Sequence, residues 1–251
     1  MKKDIRKQLE ILSETPHGRL VIQNNIGWVV LQSYARPHQA LCEIAGNTYL
    51  PKENILNKDQ EKVLSQSGYT KRRGDRSIGK IIPISTPEER ENIYKELAAL
   101  FPKLYQESFE EGVSTLQTEI LSGVNNPIFT KKMRELSQKR THNLRLDIYR
   151  MFINATFLLA INEDGSPREV EKLASLPCFA VFTDDKSIRC WDPRGVLWKK
   201  LYGFEVIESI MKYDPGSLMI NPRGNISGEL YKNELQTLSR AIQKFSPKRS
   251  S

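Results

Sequence analysis

The stretch GRLVIQNNIGWVVLQSYARPHQALCEI, residues 18–44, determines the architecture of the N-terminal part of the chain. It contains three apolar, β-prone runs separated by two turn signals. Short runs joined by tight turns predict an antiparallel meander of three strands, which needs helices on one face to bury its apolar residues. The runs are 20–22, 28–34 and 40–44, and the turn signals are Asn24-Asn25 and Arg36-Pro37-His38.

Amphipathic segments flank this meander and predict the helices that cover it. Apolar residues recur at helical spacing over 3–14, and Asn57 caps a second helix. A further strand is predicted over 78–84. A third helix begins at Ser85 or Thr86, where a capping side chain is followed by proline and two acids. The apolar positions on one face of this helix are Ile93, Leu97, Leu100 and Leu104.

The residues from the third strand onward resemble a known family. A strand that ends in glutamate is followed by a motif of the form N-x-(Y/F)-L-P, and then by a helix that closes at a glycine-aromatic pair. This pattern resembles the N-terminal module of the type III secretion chaperone-like (TY-Chap) family and covers roughly residues 1–105. The resemblance implies a secretion-chaperone-like α+β domain over 1–107. The matching residues are Ala40 to Pro51, Leu56, Asp59, Gln60, Leu64, Gly68 and Tyr69.

Residues 108–141 are predicted to be a helical, basic connector. Glycine, asparagine and proline interrupt this stretch, and Val113, Leu116 and Ile120 are spaced as in a short helix. The segment 128–150 carries seven Lys or Arg against two acids, a local balance of +5 out of the +8 of the whole chain. Its apolar residues predict one amphipathic helix with a basic outer face.

The third stretch, residues 142–251, predicts a second α+β domain with a small, mainly antiparallel sheet. A helix leads into a buried strand at 155–161, a second strand spans 177–183, and Asp184-Asp185-Lys186 forms the turn after it. The remaining predicted elements are a helix over 203–212, a strand over 217–220, a turn at Asn221-Pro222-Arg223-Gly224 and a closing helix over 231–242.

This order of elements resembles the N-terminal domain of SseB-type proteins. The match consists of a buried strand, a strand of the form P-x-F-x-x-F-T-(D/S), and an asparagine-proline-x-glycine turn after a β run. The resemblance implies protein recognition without an assigned catalytic activity, because its relatives are found among secretion-linked and toxin-immunity proteins. The matching residues are Ala155 to Ala160, Pro177 to Asp185, Gly203, Met219 to Gly224, Leu230, Glu234 and Leu238.

Composition and charge exclude several classes of protein. The chain has 251 residues, 39% of them hydrophobic, a formal net charge of +8 and a pI of ≈ 9.3. Its longest apolar runs are far shorter than the roughly 20 residues of a membrane helix, and no secretory signal is visible. Cys42, Cys178 and Cys190 are too widely spaced for a disulfide framework or a zinc knuckle. We therefore expect a reduced, cytoplasmic protein without a membrane span.

The sequence lacks the patterns that are typical of catalytic, metal and cofactor sites. His17, His38 and His142 are isolated from one another and from cysteine, and the dinucleotide and phosphate-loop fingerprints are absent. The turn at Asn221–Gly224 could be a small binding loop, although a structural turn is the simpler interpretation. We therefore predict a protein that is not an enzyme and that uses no metal or cofactor.

Two segments supply the candidate partner-binding residues. Trp191 and Trp198 lie on either side of a predicted turn, and two lysines follow Trp198 directly. Exposed Trp, Tyr and Arg side chains contribute most of the binding energy at protein interfaces. Core packing is the alternative role for the tryptophans, and a solvated helix face is the alternative for the basic segment. The predicted partner-binding residues are Trp191, Arg194, Trp198, Lys199, Lys200, Arg134, Lys139 and Arg140.

The two resemblances together imply a non-enzymatic adaptor or chaperone-like protein that recognises a partner or a secreted client. Strand pairing with an extended client segment is feasible for a small sheet with an open edge. An immunity protein that neutralises a cognate toxin is the second hypothesis, and a nucleic-acid-associated factor is the third. The basic segments lack aromatic interleaving, so nucleic acid ranks below protein as a partner. Chaperone relatives typically dimerise, so a homodimer is one expected assembly.

Overall fold

The computed structural model describes residues 4–33, 38–71, 77–118, 121–173 and 175–245. Within them the protein is α+β, with two mainly antiparallel sheets that are each packed against helices. This confirms the fold class predicted from the sequence. The chain divides into two compact units, residues 1–120 and 121–251.

The first unit contains a six-stranded sheet. Its strands are β1 (Gly18–Gln23), β2 (Trp28–Ser33), β3 (Gln39–Ile44), β4 (Thr70–Lys71), β5 (Ile78–Pro83) and β6 (Val113–Thr118). They lie in the order β4-β5-β3-β2-β1-β6, and all neighbours are antiparallel. The predicted meander forms the centre, and its first turn is closed by the Asn24 side chain, which accepts from the N–H of Gly27 at 2.7 Å. The second predicted turn, at Arg36-Pro37, lies outside the described residues.

The helices of the first unit begin where capping side chains are placed. They are α1 (Ile5–Glu14), α2 (Lys58–Gln66) and α3 (Pro87–Tyr105). Asn57 caps α2, as the sequence predicts, and Thr86, one of the two predicted candidates, caps α3. Each completes a capping box, with Gln60 and Glu89 respectively. The apolar faces of α1 and α3 share one core with the central strands. The hydroxyl of Tyr105 at the end of α3 donates to the carbonyl of Trp28 at 3.2 Å, so helix and sheet are joined by a buried hydrogen bond.

The second unit contains another six-stranded sheet. Its strands are β7 (Thr156–Ala160), β8 (Glu169–Leu173), β9 (Leu176–Phe182), β10 (Trp198–Tyr202), β11 (Ser217–Ile220) and β12 (Gly228–Tyr231). Five of them lie in the order β10-β7-β9-β11-β12, and β8 pairs with β9 outside this path. The β9–β11 pair is parallel and the other pairs are antiparallel. The two ends of the path, β10 and β12, are edge strands.

Helices cover the two faces of the second sheet unequally. They are α4 (Pro127–Lys139), α5 (His142–Asn154), α6 (Asp185–Trp191), α7 (Gly203–Ile210) and α8 (Lys232–Phe245). Strand residues alternate between the faces, so Phe157 and Leu159 join a large core with α4, α5, α7 and α8. Leu158 and Ala160 point to a smaller core on the other face, where α6 packs.

The junction between β10 and α7 lies directly against the end of α5. The N–H of Gly203 donates to the carbonyl of Ala155 at 2.9 Å. A Cβ atom at position 203 would lie 1.9 Å from the carbonyl oxygen of Phe152. Only glycine fits there, because any side chain would overlap the backbone of α5.

A buried asparagine ties the ends of the central strands of the second sheet together. The Asn221 side chain accepts from the N–H of Thr183 and donates to its hydroxyl, both at 2.9 Å. Asn126 reaches the same point, where its amide donates to the carbonyls of Thr156 (2.7 Å) and Thr183 (3.1 Å). The N–H of Gly224 closes a turn on the Asn221 carbonyl at 2.9 Å. The asparagine-proline-x-glycine segment is therefore a structural turn whose asparagine faces inward.

Residues 108–141 do not form the separate connector that the sequence suggested. Val113–Thr118 forms β6 and pairs with β1, although Val113 and Leu116 have helical spacing. The run Val-Ser-Thr-Leu-Gln-Thr is β-prone, and β1 offers it a free edge. Ile120, the third residue of the predicted helix, lies outside the described residues. Phe129 and Met133 of α4 belong to the core of the second unit, so the stretch is shared between the two units.

Two local boundaries also differ from the prediction. The single basic helix predicted over 128–150 is two helices, because Arg140 adopts a left-handed conformation (φ 46°) and Thr141 caps α5. Asp184 does not begin a turn but caps α6, where its side chain accepts from the N–H of Ser187 at 2.7 Å. Threonine and aspartate serve both turns and helix caps, so the local sequence did not distinguish these structures.

The Asn221 hydrogen bonds should contribute strongly to the stability of the second unit. We expect Asn221→Ala to lower the free energy of unfolding by about 2–4 kcal/mol, because it leaves the buried N–H of Thr183 unpaired and places alanine at a positive φ. The control is Asn225→Ala, a change at the exposed residue that directly follows the turn, which should cost less than about 0.5 kcal/mol. Chemical denaturation of both variants measures the difference, and equal losses would contradict the assignment.

Candidate functional site

The eight predicted partner-binding residues all belong to the second unit, but they lie on two different surfaces. One group comes from the end of α6 and from β10, and the other from the end of α4. The two helices contribute to different cores, on opposite faces of the sheet. The first group is Trp191, Arg194, Trp198, Lys199 and Lys200, and the second is Arg134, Lys139 and Arg140.

Trp191 packs in the smaller core of the second unit. Its ring centroid lies 5.4 Å from that of Phe182, and the guanidinium of Arg168 lies 5.3 Å from the Trp191 ring centroid. The carbonyl of Trp191 accepts from Arg223 Nη1 at 3.3 Å. These contacts favour core packing, the alternative role for this tryptophan.

Arg194 is held by the turn that follows α6. Its Nε and Nη2 donate to the two carboxylate oxygens of Asp192 at 2.9 and 2.8 Å, and its backbone N–H donates to the same carboxylate at 3.1 Å. The side-chain hydrogen bonds to Asp192 raise the pKa of the Arg194 guanidinium above its ordinary value. Its charge is therefore already paired within the unit.

The strand β10, which carries three of the predicted residues, is an edge strand. The carbonyl of Leu197 accepts from the N–H of Ile161, and the N–H of Gly203 donates to the carbonyl of Ala155, both at 2.9 Å. Backbone groups alternate along a strand, so Lys199 and Leu201 also face β7. The N–H and C=O groups of Trp198 and Lys200 consequently point away from β7. Among the described residues no other strand pairs with β10.

The side chains of β10 leave that edge accessible within the second unit. Lys199 and Lys200 are exposed and project from opposite faces; their Nζ atoms reach the carbonyls of Gly165 (3.1 Å) and Ser122 (3.4 Å). Trp198 is half-buried against the smaller core. The N–H of Tyr202 donates to Glu205 at 2.9 Å, which ends the open edge at the start of α7.

The cations at the end of α4 are only partly compensated. Lys132 pairs with Glu135 at 3.0 Å, and this contact holds the pKa of the Glu135 carboxyl below its ordinary value. Arg134, Lys139 and Arg140 are exposed, and none of them forms an ion pair with another described residue. Arg140 alone among them lines a cleft.

This cleft was not predicted from the sequence. It has a volume of ≈ 560 Å³ and lies between the facing ends of α4 and α5 on one side and β12 with the start of α8 on the other. On its wall the Tyr149 hydroxyl donates to Glu234, and Arg145 Nη1 lies 3.7 Å from the same carboxylate. Burial, and then the hydrogen bond to Glu234, raise the pKa of Tyr149 above its ordinary value. Tyr149 and Glu234 are 85 positions apart in the chain, so no local pattern joins them.

The groups capable of nucleophilic or metal chemistry are dispersed. Within the described ranges no three residues among His, Cys, Asp and Glu are grouped to hold a metal ion. Cys42 is fully buried, its Sγ lies 3.5 Å from the Tyr69 hydroxyl, and burial raises the pKa of its thiol to about 12. A buried thiol with a raised pKa stays protonated at neutral pH, and it is therefore a poor nucleophile. No helix in the described part of the chain is long and apolar enough to cross a membrane.

Comparison of the chain with protein-family models, with curated proteins and with solved structures finds no match. The geometry of the second unit is therefore the basis for a functional proposal.

Proline substitutions should distinguish the two edges of β10. Lys199→Pro removes an N–H that bonds to β7, whereas Lys200→Pro removes one that points away from it. We expect Lys199→Pro to destabilise the second unit by about 2 kcal/mol more than Lys200→Pro. Chemical denaturation measures both, with Lys199→Ala and Lys200→Ala as controls for the lost side chains. Equal destabilisation by the two prolines would show that the alternation is wrong.

Proposed function

We infer that this protein is a non-enzymatic adaptor that binds an extended segment of a partner or client protein by pairing it with β10. The observation that carries the proposal is the outward edge of this strand. The backbone groups of Trp198 and Lys200 point away from β7, and no other described strand takes them.

Strand addition supplies affinity through main-chain hydrogen bonds and selectivity through alternate side chains. A segment beside β10 would meet Lys200 and Trp198 on one face and Lys199 on the other. Lysine on an edge strand opposes indiscriminate pairing. The partner segment should therefore carry acidic residues opposite the lysines, since like charges in cross-strand pairs are destabilising.

The sequence resemblances support the same proposal. The SseB-type pattern implies protein recognition without catalysis, and the TY-Chap pattern implies a chaperone-like role towards a secreted client in the cytoplasm. Both patterns are carried by small sheets with edge strands, and the second sheet offers β10 at one end of its path. The proposal assigns no cofactor or metal to this activity.

The test separates the backbone of β10 from its side chains. The full chain is used for affinity capture from native cytoplasm, with and without nuclease, and is compared with Lys200→Pro and Lys200→Ala. The wild type and Lys200→Ala should retain a protein partner after nuclease treatment. Lys200→Pro should lose it by about tenfold or more, because the proline ring removes the outward N–H.

The melting temperature of each variant is measured in the same preparation, so that unfolding is not mistaken for lost binding. A folded Lys200→Pro that captures the partner as well as the wild type would contradict strand pairing. Loss of all captured protein on nuclease treatment would instead indicate a nucleic-acid-mediated association and would also contradict the proposal.

A further inference from the structure

The sheet of the first unit also ends in an edge strand, β6, whose chemistry differs from that of β10. β6 lies at one end of the strand order, and among the described residues it pairs with β1 alone. Native proteins protect such edges with lysine, proline or a bulge. The segment 112–118 contains no charged residue and no proline, and its register with β1 is uninterrupted. The sequence of β6 therefore leaves this edge unprotected.

The first hairpin shows which backbone groups of β6 point away from β1. The N–H of Asn24 donates to the carbonyl of Gly27 at 3.0 Å, so residue 24 faces β2. Backbone groups alternate along a strand, so the odd-numbered residues of β1 face β6. Their partners, the odd-numbered residues of β6, face β1 in return. The residues whose N–H and C=O groups point outward are therefore Ser114, Leu116 and Thr118.

The side chains of β6 are neutral on both faces of the sheet. Ser114 is buried, and the half-buried Leu116 packs against the core of the first unit. Val113, Thr115 and Gln117 are exposed on the opposite face. A strand beside β6 would therefore meet hydroxyl, amide and aliphatic groups. A neutral strand of the same composition suits this edge better than a charged one.

We propose that β6 pairs with β6 of a second copy of this chain, antiparallel and about a two-fold axis at Leu116. In this register Leu116 is opposite the partner's Leu116, and Ser114 of each copy is opposite the partner's Thr118. All outward N–H and C=O groups of the strand are then hydrogen-bonded. Between these pairs Thr115 lies opposite the partner's Gln117, and no like charges meet.

The same self-pairing is disfavoured at β10. A two-fold register that joins the outward groups of Trp198 to those of Lys200 places Lys199 directly opposite the partner's Lys199. Like charges in that position are destabilising. The β10 edge therefore favours a segment of opposite charge, whereas the β6 edge accepts a second copy. The two proposals concern different units of the chain.

Sedimentation equilibrium of the full chain tests the assembly. At about 50 µM the wild type should have a mass near twice 28.9 kDa. Thr118→Pro removes an outward N–H, and by symmetry two hydrogen bonds of the interface, so the dissociation constant of the dimer should rise by about tenfold or more. Thr118→Ala keeps the N–H and should change this constant by less than about twofold.

A pair of cysteines tests the register. Thr115→Cys combined with Gln117→Cys places each new thiol opposite one of the partner copy, so oxidation with diamide should link the two copies by disulfides. Thr115→Cys alone is the control, because its thiol then faces the partner's Gln117. Both positions are exposed, and the native cysteines are the same in the two variants.

Thermal unfolding of every variant shows whether it is folded. A wild type that keeps a mass of 28.9 kDa would overturn the proposal, and so would equal dissociation constants for Thr118→Pro and Thr118→Ala. Equal cross-linking of Thr115→Cys and of the double variant would contradict the register at Leu116. Lys200→Pro should still dimerise, and Thr118→Pro should still capture the β10 partner, so the two proposals fail separately.

Discussion

The second unit depends on the close approach of Gly203 to the end of α5. The hydrogen bond from Gly203 to Ala155 and the lack of room for a Cβ atom beside Phe152 fix the end of β10 against the start of β7. Helix α7 begins at the same residue, so the chain leaves the sheet there. β10 is thus held along one edge and at one end, while its other edge has no described strand. The candidate binding edge is a consequence of this backbone contact.

The two outer strands of the second sheet end with the same local arrangement. Each strand ends in a tyrosine whose backbone N–H donates to the carboxylate of a glutamate three residues later. Tyr202 donates to Glu205 and Tyr231 donates to Glu234, each at 2.9 Å. At β10 the glutamate accepts from the N–H of Tyr202, and no other described strand pairs with the strand edge before it. At β12 the glutamate also takes the Tyr149 hydroxyl, so it becomes part of a cleft wall. One capping pattern therefore borders two different surfaces because its tertiary surroundings differ.

The parts of the fold that local interactions determine could be predicted from the sequence. The meander, and the caps at Asn57 and Thr86, depend on residues within a few positions of each other. β6 could not be predicted, because Val113 and Leu116 also fit a helix and the free edge of β1 decides between the two structures. The cleft wall depends on a contact between Tyr149 and Glu234, which are 85 positions apart, so no local pattern predicts it. Asp184 caps α6, and a turn at Asp184 has the same local sequence signature, so the cap could not be predicted either. The sequence indicated Lys199 and Lys200 by charge but did not show that they lie on an edge strand.

In the proposed function, alternate backbone groups of β10 are free to pair with a partner strand. Residue-resolved amide hydrogen exchange of the free protein by NMR tests this directly, because exchange reports whether each N–H is hydrogen-bonded. The amides of Lys199 and Leu201 should be protected, whereas those of Trp198 and Lys200 should exchange almost as fast as in an unstructured chain. A Lys200 amide as strongly protected as that of Leu201 would show that the edge is already occupied, and it would contradict the account.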